Sequence, residues 1–173
     1  RTLFVFTADH GDMRRSQGLG TKLFPWEESV RVPFLLRGPG LEAQQGTANH
    51  APIDAPDIMP TLLGLCGVPI PVTVEGMDYS GIIRGAREPA DRAALVMCVA
   101  PFDRWARPVG CEYRGVRTSR YTYMRNMQGP WLLYDNERDP YQLQNLAGRP
   151  DARRLQDELE AVLRRELKAA GDE

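Results

Sequence analysis

Apolar and polar positions alternate in several distinct rhythms along this chain, and each rhythm predicts its own kind of element. Near the start, TLFVFTA is a short continuous apolar run, the pattern of a strand buried on both faces of a parallel sheet. VRVPFLLRGPG is a second such run, stopped by Gly38-Pro39-Gly40. Between them FPWEES predicts a brief helical turn begun at a proline. IDAPDIMPTLLGLCG has one apolar face, an N-cap candidate in Asp54 and a stop at Gly67, with Pro60 in its early turns or kinking it. Strands and helix in this order read as α/β.

After about residue 85 the rhythm changes. AALVMCVA, EYRGVRTSRYTYMRN and WLLYDNERDP predict strands, the middle one folded into a hairpin because GVRTSRYTYM roughly alternates. Residues 100–111 read as loop. In DARRLQDELEAVLRRELKAAG, Leu155, Leu159, Val162, Leu163 and Leu167 fall at helical spacing with charges on the other faces, so an amphipathic helix closes the chain. Two parts follow: residues 1–85, part of a catalytic-type α/β domain, and residues 86–173, a smaller α+β subdomain with an antiparallel sheet and a closing helix.

Composition narrows the function classes. The 173 residues are 42% hydrophobic, enough to fill a core, and Lys+Arg 22 against Asp+Glu 23 leaves a net charge of -1. No global basic field exists to recruit nucleic acid or an anionic membrane, and no run approaches the roughly 18 to 20 apolar residues of a membrane span. Cys66, Cys98 and Cys111 are widely spaced and form no CxxC pair, so buried free thiols are expected. The chain opens on an arginine with a strand beginning at once, which reads as a piece of a longer polypeptide. No residue indicates the compartment or the oligomeric state.

Candidate chemistry gathers where the first strand ends, at Asp9-His10-Gly11. In open α/β sheets ligands bind at the carboxyl edge of the strands. A carboxylate and an imidazole on adjacent residues can share one divalent cation if the backbone turns sharply, which Gly11 would permit. Taken alone, such a pair at a strand end is more often a cap or a satisfied hydrogen-bonding group.

The segment FTADHGDM…SQGLGTKLFPWEESVRVPFLLRGPG resembles the second metal-site segment of the sulfatases, a branch of the alkaline phosphatase superfamily, with its Asp-His/Asn-Gly, Gly-x-x-x-Lys and Glu-Glu-Ser-x-x-Val-Pro blocks. HAPIDAPDIMPTLLGLCGVPIP is similar to the family's Asp-x-x-Pro-Thr-Leu-Leu helix, and LLYDNERDPYQLQNLAGRP to its Leu-Tyr-Asp-x-x-x-Asp-Pro-x-Glu-x-x-Asn-Leu segment. The resemblance implies an alkaline-phosphatase-like parallel-sheet domain. It implies that Asp9 and His10 ligate a divalent metal, Ca2+ foremost with Mg2+ or Mn2+ as alternatives, and that Lys22 is a catalytic residue in contact with the substrate's sulfate. Pro25, Glu27 and Glu28 fall in a motif that shapes the wall beside the site, His50 in a buried hydrogen-bonded position, and Asp54 remains a helix cap.

The implied reaction is hydrolysis of a sulfate ester on a small molecule or sugar, with a formylglycine nucleophile. None of CGVPI, CVAPF or CEYRG matches the formylglycine motif Cys-x-Pro/Ala-x-Arg, so the nucleophile and the remaining metal ligands are expected upstream, and this chain alone is expected to be inactive. Gln17 stands where many relatives carry histidine at a substrate-facing position. It can exchange hydrogen bonds with substrate but cannot act as an acid near neutral pH. Arg104, Trp105 and Arg107 suit either an anionic sugar or a loop that packs its tryptophan. Two other readings stay open: a phosphoryl or phosphonyl ester hydrolase of the same superfamily, and a noncatalytic carbohydrate- or partner-binding remnant using Trp26, Trp105 and Trp131.

Overall fold

The structure is a computed structural model that describes residues 2–87, 92–101 and 112–172. In chain order the elements are β1 (Phe4–Thr7), α1 (Glu27–Val30), β2 (Phe34–Arg37), α2 (Ala55–Cys66), α3 (Ser80–Ile83), β3 (Ala93–Cys98), β4 (Tyr113–Thr118), β5 (Tyr121–Asn126), β6 (Gly129–Asp135) and α4 (Arg153–Ala170). Short 3-10 turns lie at Ser16–Gly18, Glu42–Gln44 and Pro150–Ala152. The described residues of Arg1–Asp9 and Pro33–Arg92 form one unit, and those of His10–Val32 and Ala93–Glu173 a second. Among them no helix is long and apolar enough to cross a membrane.

In the first unit β1 and β2 pair with each other antiparallel, Phe4 opposite Arg37 and Thr7 opposite Phe34. A parallel pairing of these two apolar runs is therefore not what forms, and Phe4, Phe6 and Leu35 are exposed. A run apolar throughout satisfies either strand direction, so its pattern does not choose between them. α2 begins at Asp54 in a capping box with Asp57, whose carboxylate accepts the Asp54 N–H at 3.4 Å. It ends at Gly67, φ 69°, where Val68 N–H donates to Leu63 O at 2.9 Å. Pro60 lies inside the helix without breaking it. It has no N–H for the carbonyl of Pro56, and Gly76 packs so closely there that a Cβ would stand 2.0 Å from that oxygen. Asp57 and Thr61 hold the following loop through Met77 N–H at 2.6 Å and Tyr79 N–H at 3.0 Å. The Tyr79 hydroxyl donates to Pro52 O at 2.6 Å and accepts from Arg92, and burial pushes its pKa up to about 12 against the pull of that arginine.

The second unit is a four-stranded antiparallel sheet in the order β3-β4-β5-β6, with the β4–β5 hairpin the alternating pattern predicted. Successive residues serve opposite faces, as strand geometry requires. Leu132 and Tyr134 join Tyr113, Met124, Met13, Phe24 and Trp26 in one apolar cluster, while Leu133 joins Val116, Tyr123, Ala152, Leu159 and Leu163 in the other. α4 thus covers one face, and a segment from the first part of the sequence, residues 13–26, covers the other. Along α4 the charged face is laced by Arg154–Glu158 and Arg164–Glu160 pairs, four residues apart in sequence. Gly171, φ 73°, ends the helix.

Several expectations change here. Cys66 is exposed at the end of α2 and Cys98 half-buried, so neither is a fully buried thiol, and Cys111 lies outside the described residues. His50 is exposed rather than buried, because Ala51 N–H turns onto Asn49 Oδ1 at 2.9 Å and the chain runs along the surface. Trp26 is buried, its indole N–H donating to Tyr134 Oη at 3.3 Å, and Trp131 meets it edge-on at 5.8 Å. Two of the three tryptophans thus serve the core instead of a binding face, while Arg104, Trp105 and Arg107 lie outside the described residues.

Candidate functional site

Two residues beyond β1 stands Asp9, then His10, both exposed. The imidazole of His10 has defined neighbours on both nitrogens: Nδ1 is 2.7 Å from Gly11 O, and Nε2 is 2.9 Å from Lys22 Nζ. An ammonium only donates, so Nε2 is the acceptor and the proton of the neutral ring sits on Nδ1, given to Gly11 O. The Nε2 lone pair thus accepts from the Lys22 ammonium, and a metal ion at this nitrogen would have to replace that bond.

Gly11 is required for a different reason than a turn. Its N–H donates to Ser29 O at 2.8 Å, and a Cβ at this position would stand 2.0 Å from Glu28 O and 3.0 Å from the carbonyl carbon. Any side chain would collide with the backbone of α1.

Between His10 and Lys22 the backbone doubles back. Met13 N–H donates to Thr21 O at 2.7 Å and Arg15 N–H to Leu19 O at 2.9 Å, which makes a narrow hairpin. Asp12 Oδ1 accepts Arg14 N–H at 2.9 Å, an Asx turn that starts it. Five non-glycine residues here adopt left-handed backbone: Arg14 (φ 44°), Arg15 (81°), Gln17 (53°), Thr21 (68°) and Leu23 (77°). Such conformations cost on the order of 1–3 kcal/mol each and persist only where surroundings over-determine them. The surroundings are visible: Met13 and Phe24 are buried against the sheet, and Tyr113 Oη donates to Leu23 O at 3.3 Å.

The tip of this hairpin is tied as well. Gln17 Nε2 donates to Tyr141 O and Gln142 O, both at 3.2 Å. Gln142, 1% exposed and itself left-handed at φ 53°, is a hub that sequence reasoning did not single out. Its Nε2 donates to Thr122 Oγ1 at 3.2 Å and Asn136 Oδ1 at 2.9 Å, and its Oε1 accepts Glu27 N–H at 3.0 Å. Asn136 Nδ2 donates to the same Thr122 hydroxyl at 2.9 Å, so both amide orientations follow from the network. Glu27 closes the frame through a two-pronged pair with Arg117 of β4, at 2.7 and 3.3 Å. Polar residues in a loop carry no periodic signal, so only the charge of Glu27 or Arg117 hinted at such a tie.

Asp9 and His10 are the two donors this stretch offers a metal, and among the described residues no group of three or more His, Cys, Asp or Glu is gathered to hold one. The Asp9 carboxylate fits a hard divalent ion as one ligand of a set, while the His10 imidazole is a softer donor whose Nε2 is bonded to Lys22 here. Chemically, the stretch offers the Asp9 carboxylate to a cation and an imidazole joined to an ammonium that an oxyanion could draw away.

Residues 16–169 match the family described as N-sulphoglucosamine sulphohydrolase, C-terminal. The chain is 46% identical over 174 residues to the ulvan-active sulfatase of Formosa agariphila, covering 99% of this chain and 34% of that protein. The structure of a 2-O GAG sulfatase superposes with a TM-score of 0.84 at 28% identity, covering 99% of this chain and 37% of that one. The phosphonate monoester hydrolase of Agrobacterium radiobacter superposes at 0.72 with 25% identity, covering 93% and 34%. The chain thus spans about a third of the length of the relatives it matches.

Proposed function

This chain belongs to the sulfatases, as their C-terminal portion, and on that premise we propose that the protein it forms part of hydrolyses a sulfate ester on a sugar. The observation that carries the reading is the His10 Nε2 to Lys22 Nζ approach of 2.9 Å directly after β1. Two relatives, by name an ulvan-active sulfatase and a GAG sulfatase, favour a sulfated sugar over a simple aryl ester. The domain division at residues 1–85 and 86–173 belongs to the same proposal.

In this reading Asp9 and His10 hold a divalent ion, Ca2+ foremost, with further ligands and a formylglycine nucleophile supplied by sequence outside this chain. When bound, the ion offsets negative charge on oxygens at the reacting centre. Lys22 places its ammonium on the nonbridging sulfate oxygens, where charge is held in a site of fixed donors instead of mobile water. The Nδ1–H to Gly11 O bond fixes the His10 ring, and a bound ion would replace the Lys22 hydrogen bond at Nε2, leaving the ammonium for the sulfate. Gln17, its amide nitrogen taken by Tyr141 O and Gln142 O, meets substrate through Oε1 as an acceptor of a sugar hydroxyl.

The test uses the full-length protein with a sulfated monosaccharide, read by sulfate release, and 4-nitrophenyl phenylphosphonate as paired substrates. The sulfate ester is expected to turn over faster, and Asp9→Ala and Lys22→Ala to lower its kcat/KM by about a hundredfold or more. Undiminished turnover in both variants removes the site assignment. Preference for the phosphonate ester moves the protein to the phosphonyl hydrolase reading that the Agrobacterium structure represents.

A further inference from the structure

We propose that Arg14 and Arg15 form a second anion subsite beside Lys22, taking a carboxylate or sulfate on the sugar next to the one that is desulfated. The proposal rests on the reading of this chain as part of a sugar sulfatase.

The argument begins with backbone conformation. Arg14 and Arg15 are consecutive left-handed residues, at φ 44° and 81°, where glycine or asparagine would make the turn with less strain. Nothing in the conformation calls for arginine. Nor does packing: both are exposed, and among the described residues neither guanidinium has an ion pair or hydrogen bond. The sheet treats its arginines differently, since Arg114, Arg117 and Arg120 are each held by a carboxylate. The nearest acid in sequence, Asp12, spends its Oδ1 on the Arg14 N–H.

Register places the pair. With Met13 bonded to Thr21 and Arg15 to Leu19, Arg14 lies opposite Gly20, two residues from Lys22 on the same hairpin. An ammonium and two guanidinium forks thus share one short hairpin, three cations where one sulfate needs fewer. The hairpin is fixed at its base by Met13 in the sheet core and at its tip by Gln17 on the Tyr141 and Gln142 carbonyls. Cations held on a rigid support lose less freedom when an anion binds. A guanidinium fork also matches the planar geometry of a carboxylate and two oxygens of a sulfate, while Lys22 acts as a point charge.

The test compares wild-type full-length protein with Arg14→Gln, Arg15→Gln and the double variant on three sulfated disaccharides. Their second sugar is neutral, carries a carboxylate, or carries a second sulfate. Wild type should favour the two acidic disaccharides, and the ratio of their kcat/KM to that of the neutral one should fall about fivefold per variant and more than tenfold in the double variant. A fall with only one acidic disaccharide identifies which anion the subsite takes. Equal losses on all three substrates, or no loss on any, overturn the proposal. Calorimetric binding of the desulfated disaccharides, with neutral or carboxylate-bearing second sugar, reads the subsite without turnover. If wild type hydrolyses none of the sulfate esters, the sulfatase reading fails. The subsite itself then stands or falls on whether the carboxylate-bearing disaccharide binds wild type more tightly than the double variant.

Discussion

Replacing Gln142 by methionine keeps the length and volume of a fully buried side chain and removes only its polar atoms. The structure says which groups suffer. Glu27 N–H loses its acceptor at 3.0 Å and Asn136 Oδ1 loses its donor at 2.9 Å, while Thr122 Oγ1 keeps the donation from Asn136 Nδ2. A buried polar group left unpaired costs about 1–3 kcal/mol. Glu27 and Asn136 are half-buried and partly regain water, so the two groups together predict a loss of about 1–2 kcal/mol, or roughly 2–8 °C in Tm for a chain of this size. Urea unfolding of the two proteins measures the loss, and hydrogen exchange locates it. Amides of Met13 and Arg15, bonded within the hairpin, should exchange faster in the variant, and those in the middle of α4 should change only through global stability. A loss below about 0.5 kcal/mol would show that these bonds are replaced by water at no cost, and that Gln142 is no hub.

Gly11→Ala should destabilise by about 1–3 kcal/mol, because the atoms its Cβ meets at 2.0 and 3.0 Å are backbone and cannot rotate away; a thermal melt matching wild type would refute the close approach. Leu163→Ala, at a position with no exposure between α4 and the sheet, should cost about 2–5 kcal/mol in denaturant unfolding, and a loss under 1 would mean α4 is not packed as described. Two hydrogen bonds from Arg120, at 2.9 and 2.7 Å, hold the Asp135 carboxyl below its ordinary value of 3.8. Its pKa is depressed on folding, so the contribution is present above pH 4 and lost as pH falls through the native value. Wild type should therefore lose more stability than Asp135→Asn as pH drops below 4; parallel acid limbs would remove Asp135 from the account.

Local chemistry along the chain determined the elements themselves. Asp54 and Gly67 mark the ends of α2 because a capping carboxylate and a left-handed glycine act on backbone groups within a few residues. The leucine spacing of α4 was legible because one buried face imposes its period on the sequence, and the rough alternation from Gly115 to Met124 was legible because successive strand residues serve opposite faces. Asp9, His10 and Lys22 were legible as a motif. Tertiary structure alone decided that Lys22 lies 2.9 Å from His10, that β1 and β2 pair antiparallel, and that residues 13–26 cover the face of a sheet whose strands begin at Ala93. It also decided why Gly11 must be glycine, and that Gln142, more than a hundred residues from Gln17 and Glu27, ties both. Those contacts join residues far apart in the chain through hydrogen bonds and van der Waals exclusion. Neither leaves a periodic trace in sequence, so they exist only once the sheet has brought the partners together.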